Sequence, residues 1–366
     1  MKSSNPITQL SSYPNFSIII PNLNGAKFLS SCLNSLLTPL KLDKIKNFEI
    51  ILVDNASTDN SILEFKKIFT SCHCERSVAI SSKPNPPFTF PTGSPHHSVP
   101  RDDTFTIIKN NRNLGFAKAV NQGILKAKYN YVVICNNDLT VDKNWFKHIS
   151  LAIKTNKDPK VITFFGTVLN KNGTRIESRG LEFFYCGKAL NIDNNKKIKN
   201  LKLKIKNYLI WGSSASIVCY HKPTLLKIGM FDPDFFAYEE DVDLALRLHN
   251  LKYKTLFVPK AISYHIGGAT SSKMGNFRHR MDAKNWFYII IKNYSKKEIL
   301  NNLFPIIDQR LRNLSGLTKQ TIKIYKLRSI YILAISLITT YSQVILNLPK
   351  MLKKRKQVLL TRYNKA

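Results

Sequence analysis

The sequence predicts an α/β fold with a mainly parallel, Rossmann-like sheet flanked by helices. Short apolar runs alternate with segments of helical periodicity over roughly residues 16–150, the pattern of strand–helix–strand units. The apolar runs also stop at Asn or Asp, namely Asn22, Asp54 and the segment Asn136, Asn137, Asp138. In open α/β sheets ligands sit beyond the carboxyl ends of the strands, so these positions are candidate ligand contacts.

Phe16 to Ile20 reads as a buried strand closed by Pro21 and Asn22. Ala26 to Leu37 carries Phe28, Leu29, Cys32, Leu33, Leu36 and Leu37 at helical spacing. A second strand runs from Phe48 to Val53, and Asp59 or Asn60 caps a helix to about Phe69. Thr104 to Ile108 is a strand, Gly115 to Lys128 a helix, and Tyr131 to Cys135 a fourth strand. Farther on, Val161 to Leu169 and Ile176 to Phe184 read as strands. Lys188 to Asn207 is a Lys-rich loop or edge strand, and Tyr208 to Cys219 is apolar again. Asp241 to Asn250 and Asp282 to Asn293 are helical, with a strand from Thr255 to Val258 between them.

Hydrophobic residues make up 43% of the 366 and aromatics 11%, enough for a sizeable core and too much for global disorder. The net charge of +33 fits a polyanionic partner, whether nucleic acid, an acidic membrane or a phosphorylated substrate. Richness in Asn and Ile offers a second explanation, a codon bias that raises Lys without any partner. The six cysteines are scattered and several lie in apolar runs, as expected of reduced thiols. Met1 to Pro14 lacks the apolar core of a signal peptide, so the expected location is the cytoplasm.

Residues 71–104 break the pattern, with six of the sixteen prolines and no periodicity. They read as a disordered insertion. Cys72, His73 and Cys74 invite a zinc site, but the spacing is wrong and no second cysteine pair follows.

Two constellations carry chemistry. Asp138 directly follows a buried strand, where a carboxylate faces the ligand cleft and can hold a divalent cation against a diphosphate. Asn and Asp are also common in plain turns. The second is the segment from Gly229 to Arg247. Asp232 and Asp234 sit in a turn there, and Glu239, Glu240, Asp241 and Asp243 crowd a helix start beside Phe235, Phe236 and Tyr238. Helix capping alone does not require so many acids. Carboxylates crowded beside apolar rings make a general base or a cation site.

Taken in order, the motifs resemble those of family 2 glycosyltransferases of the GT-A fold, close to the rhamnosyltransferase-like branch. Phe16 to Gly25 resembles the opening strand and Val53 to Ser61 the second-strand motif. Asn111 to Ala117, with Asn121 to Gly123, resembles the third. Asn136 to Asp138 sits where the family keeps its DxD motif. Trp211 to Ser214, Phe236 to Asp243, and Tyr264 with His265 resemble the acceptor-side, ED and late His motifs. The resemblance covers about residues 16–294 and implies a catalytic domain over that span, after a tail at 1–15.

It also implies roles. Pro21, Asn22, Asn24, Asp54, Asn55, Arg112, Asn113, Gly115, Asn121, Asn137 and Asp138 would bind a dTDP-, UDP- or GDP-sugar. Asp138, with His265, would hold Mg2+ or Mn2+. Trp211, Gly212 and Glu239 would face the acceptor, a glycan or a polyprenyl-linked sugar. Asp241 would be the general base of an inverting transfer, supported by Glu240. Asn136 departs from the DxD pattern, which leaves Asp138 with little protein company on the metal.

Residues 292–366 hold 16 Lys+Arg and two acids, so 295–366 reads as a basic helical region. Ile330 to Leu348 carries no charge and is just long enough to span a bilayer. Ser336, Thr340, Gln343 and Asn347 recur along it as a polar stripe, which favours a helix lying in the membrane plane or packed on the domain. Lys353 to Lys356 would then meet anionic headgroups on the inner face of the cell membrane. Nucleic acid is not an expected partner, since no recognised binding motif is present. The competing readings are a nucleotidyltransferase, a basic nucleic-acid-binding protein, and a sugar-nucleotide-binding relative impaired by its insertion.

Overall fold

The computed structural model describes residues 13–42, 45, 47–68, 105–198, 207–266, 277–326 and 329–363. The expected insertion at 71–104, with Cys72 and Cys74, lies outside the described residues.

Strand β1 (Phe16–Asn22) leads into helix α1 (Ala26–Leu42), then β2 (Phe48–Asp54) and helix α2 (residues 61–68). They are followed by β3 (Phe105–Lys109), α3 (Phe116–Lys126) and β4 (Tyr131–Cys135). These four strands are mutually parallel, in the order β4-β1-β2-β3. All residues of β1 from Phe16 to Ile20 are buried, so helices cover both faces, as a parallel sheet requires. Asp59 accepts from the Ser61 amide at the start of α2 and from the Ala26 amide at the start of α1, so one carboxylate caps two helices.

The order of connection reverses between β1 and β4, and that switch point is where a ligand crevice opens. The segment 69–104 joins the end of α2 to the start of β3. Its second root, Phe105, pairs with Ile50 near the start of β2, whereas the cleft end of that ladder is Asp54 with Lys109. Phe105, the first described residue after that segment, therefore lies at the end of β3 away from Asp54 and Lys109.

The second half adds β5 (Leu139–Val141), α4 (Trp145–Thr155), β6 (Val161–Asn170), β7 (Ile176–Ser178), β8 (Leu181–Phe184) and β9 (Lys188–Asn191). Then come β10 (Tyr208–Ile210), β11 (Ile217–His221), α5 (Lys222–Lys227), α6 (Glu240–Asn250) and β12 (Lys254–His265). β11 is antiparallel to β4 and β6, while β12 runs parallel to β6, so the whole sheet is mixed. The single strand expected over 176–184 is two, broken at Gly180 with φ 113°. The strand expected at 255–258 extends to His265, because β12 crosses a bulge between Phe257 and Ile262 and resumes pairing.

Four helices follow among the described residues: α7 (Phe277–Asn293), α8 (Lys296–Asn301), α9 (Leu303–Tyr325) and α10 (Ser329–Tyr363). α7 packs on α6 through an ionic centre. Lys292 lies 2.7 Å from Asp232 and 2.8 Å from Asp243, and Arg247 lies 2.9 Å from Asp243. Asn293 also donates to Asp243 at 3.0 Å. Burial alone would raise the Asp243 carboxyl, but Lys292 and Arg247 outweigh it and hold it below the usual range. A depressed folded pKa stabilises above the unfolded value of about 3.9 and is lost as pH falls through the folded one. Lys292→Met removes the cation that two buried carboxylates share. It should cost about 3–5 kcal/mol of stability at neutral pH and much less in acid, as read by urea denaturation at both pH values.

Candidate active site

The crevice at the switch point is lined by an amide network. Asn22 donates to Asp54 at 2.9 Å and to Ser57 at 3.0 Å, while its carbonyl accepts from Asn137 at 2.6 Å. The ends of β1, β2 and β4 are thereby tied across the point where a ligand enters. Gly25 lies against that bond, and a Cβ there would sit 2.0 Å from the Asn137 amide nitrogen. No side chain fits. Asn24 has φ 52° and accepts from the Thr58 amide at 2.8 Å. Pro21 falls beyond the β1–β4 ladder, which ends at Ile19, so its missing N–H breaks no bond to β4.

Asn55 extends the network to α3. Its amide nitrogen donates to Asn113 at 2.8 Å and to the Gly115 carbonyl at 3.2 Å, and its oxygen accepts from Asn110 and the Leu114 amide. Arg112 is exposed on the same loop. Asn121 does something else: both ends of its amide bind the Phe231 backbone, at 2.7 and 3.1 Å, so it holds α3 to the segment before α6.

At the other rim stands His265. Its Nε2 lies 3.1 Å from Asp138 and its Nδ1 lies 2.5 Å from Glu177. Burial works against the imidazolium, yet the two carboxylates lift His265 to about 10. His265 thus carries the positive charge that sits between the two carboxylates. A carboxylate behind a histidine fixes the ring and aims its other nitrogen, the usual support for a metal-ligating imidazole. Asp138 and His265 are two candidate ligands for a divalent cation, with Glu177 orienting the ring; among the described residues no group of three or more His, Cys, Asp or Glu forms a metal site. Glu177 was not a candidate from sequence, since a lone acid on a short edge strand gives no signal.

The third group is the start of α6. Asp241 accepts from the Ala215 amide at 3.1 Å and the Val242 amide at 2.8 Å. Ala215 follows Trp211 to Ser214, and the adjoining Ser216 carbonyl accepts from the Asn136 amide at 2.9 Å. One loop therefore joins the Asp241 carboxylate to the strand end that bears Asp138. Gly212 permits this approach, because a Cβ there would lie 2.7 Å from the Ala245 side chain. Trp211 stacks on Phe183 with centroids 4.7 Å apart.

Asp241 has crowded acidic company. Burial raises it above the ordinary aspartate value despite its backbone donors. Burial, with Asp241 and Asp282 nearby, raises Glu239 and Glu240 well above theirs. Burial and Asp241 hold Asp282 at about 6 although Arg278 opposes them. Glu239 Oε2 and Glu240 Oε2 are buried without a hydrogen-bond partner among the described residues. Unsatisfied carboxyls of this kind concentrate at functional sites.

The loop that presents them is strained, with φ of 66°, 67° and 63° at Phe236, Tyr238 and Glu239. Asn285 of α7, fully buried, holds it. Its amide nitrogen sits 2.6–2.9 Å from the carbonyls of Phe235, Ala237 and Tyr238. Asn285 and Asp282 escaped the sequence reading, because a polar residue in a helix declares its partner only once the helix is docked.

The mainly parallel sheet flanked by helices is the fold of the GT-A glycosyltransferases. The family model described as glycosyl transferase family 2 matches residues 17–77 and 95–218, just over half of the chain, and the chain belongs to that family. The match skips 78–94, inside the expected insertion, and ends ahead of Glu239.

Among curated relatives, poly-β-1,6-N-acetyl-D-glucosamine synthase of Staphylococcus aureus is 22% identical over 257 residues, 68% of this chain and 51% of its own length. The same enzyme of Staphylococcus epidermidis is 23% identical over 252 residues, 66% of this chain and 50% of its own. The chain thus spans about half the length of the curated relatives it matches. Among solved structures, the mannosyltransferase PcManGT of Pyrobaculum calidifontis, in complex with GDP-Man and Mn2+, aligns with TM-score 0.51 at 14% identity. That alignment covers 98% of this chain and 88% of PcManGT. GalNAc-T7 with UDP, GalNAc and Mn2+ aligns with TM-score 0.51 at 16% identity, over 87% of this chain and 58% of its own. These two show the fold.

Glu239 and Glu240 bind protons more tightly folded than unfolded. Folding stability therefore falls as pH rises from about 4.3, the ordinary glutamate value, through their raised folded values. Glu239→Gln should raise the melting temperature at pH 7 and leave it nearly unchanged at pH 4. Asn285→Ala should lower kcat about tenfold to a hundredfold through a displaced loop and leave KM for the donor within a few fold, as read by steady-state kinetics.

Proposed function

We propose that the chain is an inverting, metal-dependent glycosyltransferase. It moves a sugar from a nucleotide-sugar donor to a hydroxyl of a glycan or lipid-linked acceptor in cell-surface polysaccharide assembly, on the cytoplasmic side of the membrane. The observation that carries the reading is the Asp241 carboxylate, raised by burial and aimed by the Ala215 N–H of the loop beside Asp138 and the Val242 N–H of its own helix. The polysaccharide synthases among the relatives support the acceptor class.

On this reading the base and ribose lie over the network of Asn22, Asp54, Asn55 and Asn113, with Arg112 free to swing onto them. Asp138 and His265 would hold Mg2+ or Mn2+, which neutralises the departing diphosphate when bound. The PcManGT and GalNAc-T7 complexes of the same fold, both with Mn2+, support that assignment. Asp241 takes the proton of the acceptor hydroxyl as its oxygen attacks the anomeric carbon. The bond from that carbon to the phosphate oxygen breaks on the opposite face, and the nucleoside diphosphate leaves. A single displacement inverts the configuration, and no second carboxylate is needed as a nucleophile. Burial keeps the Asp241 pKa above the ordinary aspartate value, so the base is poised closer to neutral pH.

Asp241→Asn should lower kcat by about 10²–10⁴ while donor binding by calorimetry stays within a few fold of wild type; undiminished transfer would sink the base assignment. EDTA should abolish release of nucleoside diphosphate from a panel of nucleotide sugars, and Mn2+ should restore it in the wild type but not in Asp138→Ala. The acid limb of kcat/KM should sit above about 3.9, the ordinary Asp value, because the folded site raises Asp241.

A further inference from the structure

Helix α10 turns two polar residues inward and leaves several isoleucines outside. Ser336 and Thr340, members of the polar stripe, are 3% and 2% exposed, while Ile330, Ile338 and Ile345 are 83%, 65% and 67% exposed. α9 repeats the theme. Phe304, Ile307 and Leu311, at i, i+3 and i+7, are exposed at 82%, 49% and 60%. Arg312, paired with Asp308 at 2.8 Å, and Lys319 and Lys323, at i, i+7 and i+11, form a second exposed row beside them. An apolar row flanked by a cationic row is the arrangement of a helix that lies in a lipid interface.

Lys350 and Lys354 of α10 bind Asp234 and Asp232, at 2.5–2.6 Å. The cation run therefore does not face outward as a block, and only Lys353 and Lys356 of it are fully exposed. By length and composition, residues Ile330–Arg362 could cross a membrane. Yet Val344 and Met351 are buried in the cluster with Tyr288 and Ile289 of α7. Tyr341 and Gln343 also touch α7, which leaves residues 330–340, roughly 16 Å of helix against about 30 Å of hydrocarbon.

We propose that the outward faces of α9 and α10 dock flat on an anionic lipid bilayer. The apolar rows enter the acyl boundary, and Arg312, Lys319 and Lys323 engage acidic headgroups. A protein partner would not call for both inverted polarity and a cationic edge; a lipid leaflet does. The inference deepens the membrane-side placement proposed above, but its readout needs no sugar transfer, so the two can fail separately.

The test is flotation of the full-length protein with vesicles of phosphatidylcholine, alone or with phosphatidylglycerol. Flotation is expected with the anionic vesicles only and is released by salt. Lys319→Glu with Lys323→Glu should weaken it about tenfold or more, and Phe304→Glu with Ile307→Glu should abolish it, each with a melting temperature close to wild type. Equal flotation on neutral vesicles, or undiminished flotation of both double variants, overturns the proposal. So does a dimer by light scattering that Phe304→Glu dissociates, which would make a second copy the occupant. Resistance to alkaline carbonate extraction from host membranes also overturns it, because a spanning helix stays and an in-plane one leaves.

Discussion

Lys292 stands between two acids that belong to different parts of the chain, Asp232 in the turn before α6 and Asp243 within α6. All three side chains are at most 5% exposed. A lone ammonium or carboxylate at that depth would neutralise rather than stay charged. The pairing therefore forces α7, the turn and α6 into one relative position. From there the constraint spreads: Asn285, two turns earlier on α7, reaches the carbonyls of the strained loop, and Lys354 ties α10 to Asp232 and Asp234. The start of α6 is aimed by contacts made behind it.

The same helix carries opposite electrostatics on its two sides. Asp243 faces Lys292, Arg247 and Asn293, and its carboxyl is held low. Asp241 has only backbone donors, and burial pushes it up, as it does Glu239 and Glu240. A step of two residues around a helix separates a structural acid from a reactive one. The acids that lack cations cost stability at neutral pH, and those that have them supply it. Such local cost is typical where a fold presents a reactive group.

The C-terminal helices are continuous with the rest of the protein. Arg310 of α9 donates to Tyr341 of α10, and Tyr288 of α7 donates to the Gln343 carbonyl. A region that reads as a separate basic extension is thus bound to the element behind the active carboxylate. Whatever holds its outer face bears on the same framework.

The sequence by itself determined the strand–helix alternation, because apolar periodicity is local and burial rewards it wherever the chain lies. It also determined the candidates at the strand ends, since Asn22, Asp54 and Asp138 follow directly from where apolar runs stop. Asp241 was legible for a related reason: acids crowded at a helix start have no purely local cause. Only the tertiary structure decided the partners. Glu177 behind His265, Asn285 under the loop, and Lys354 on Asp232 join residues between 47 and 122 positions apart. It likewise decided that Asn121 binds the Phe231 backbone and that Ser336 and Thr340 face inward. Hydrogen bonds and ion pairs depend on distance and direction in space, and sequence spacing encodes neither once the chain has turned back on itself.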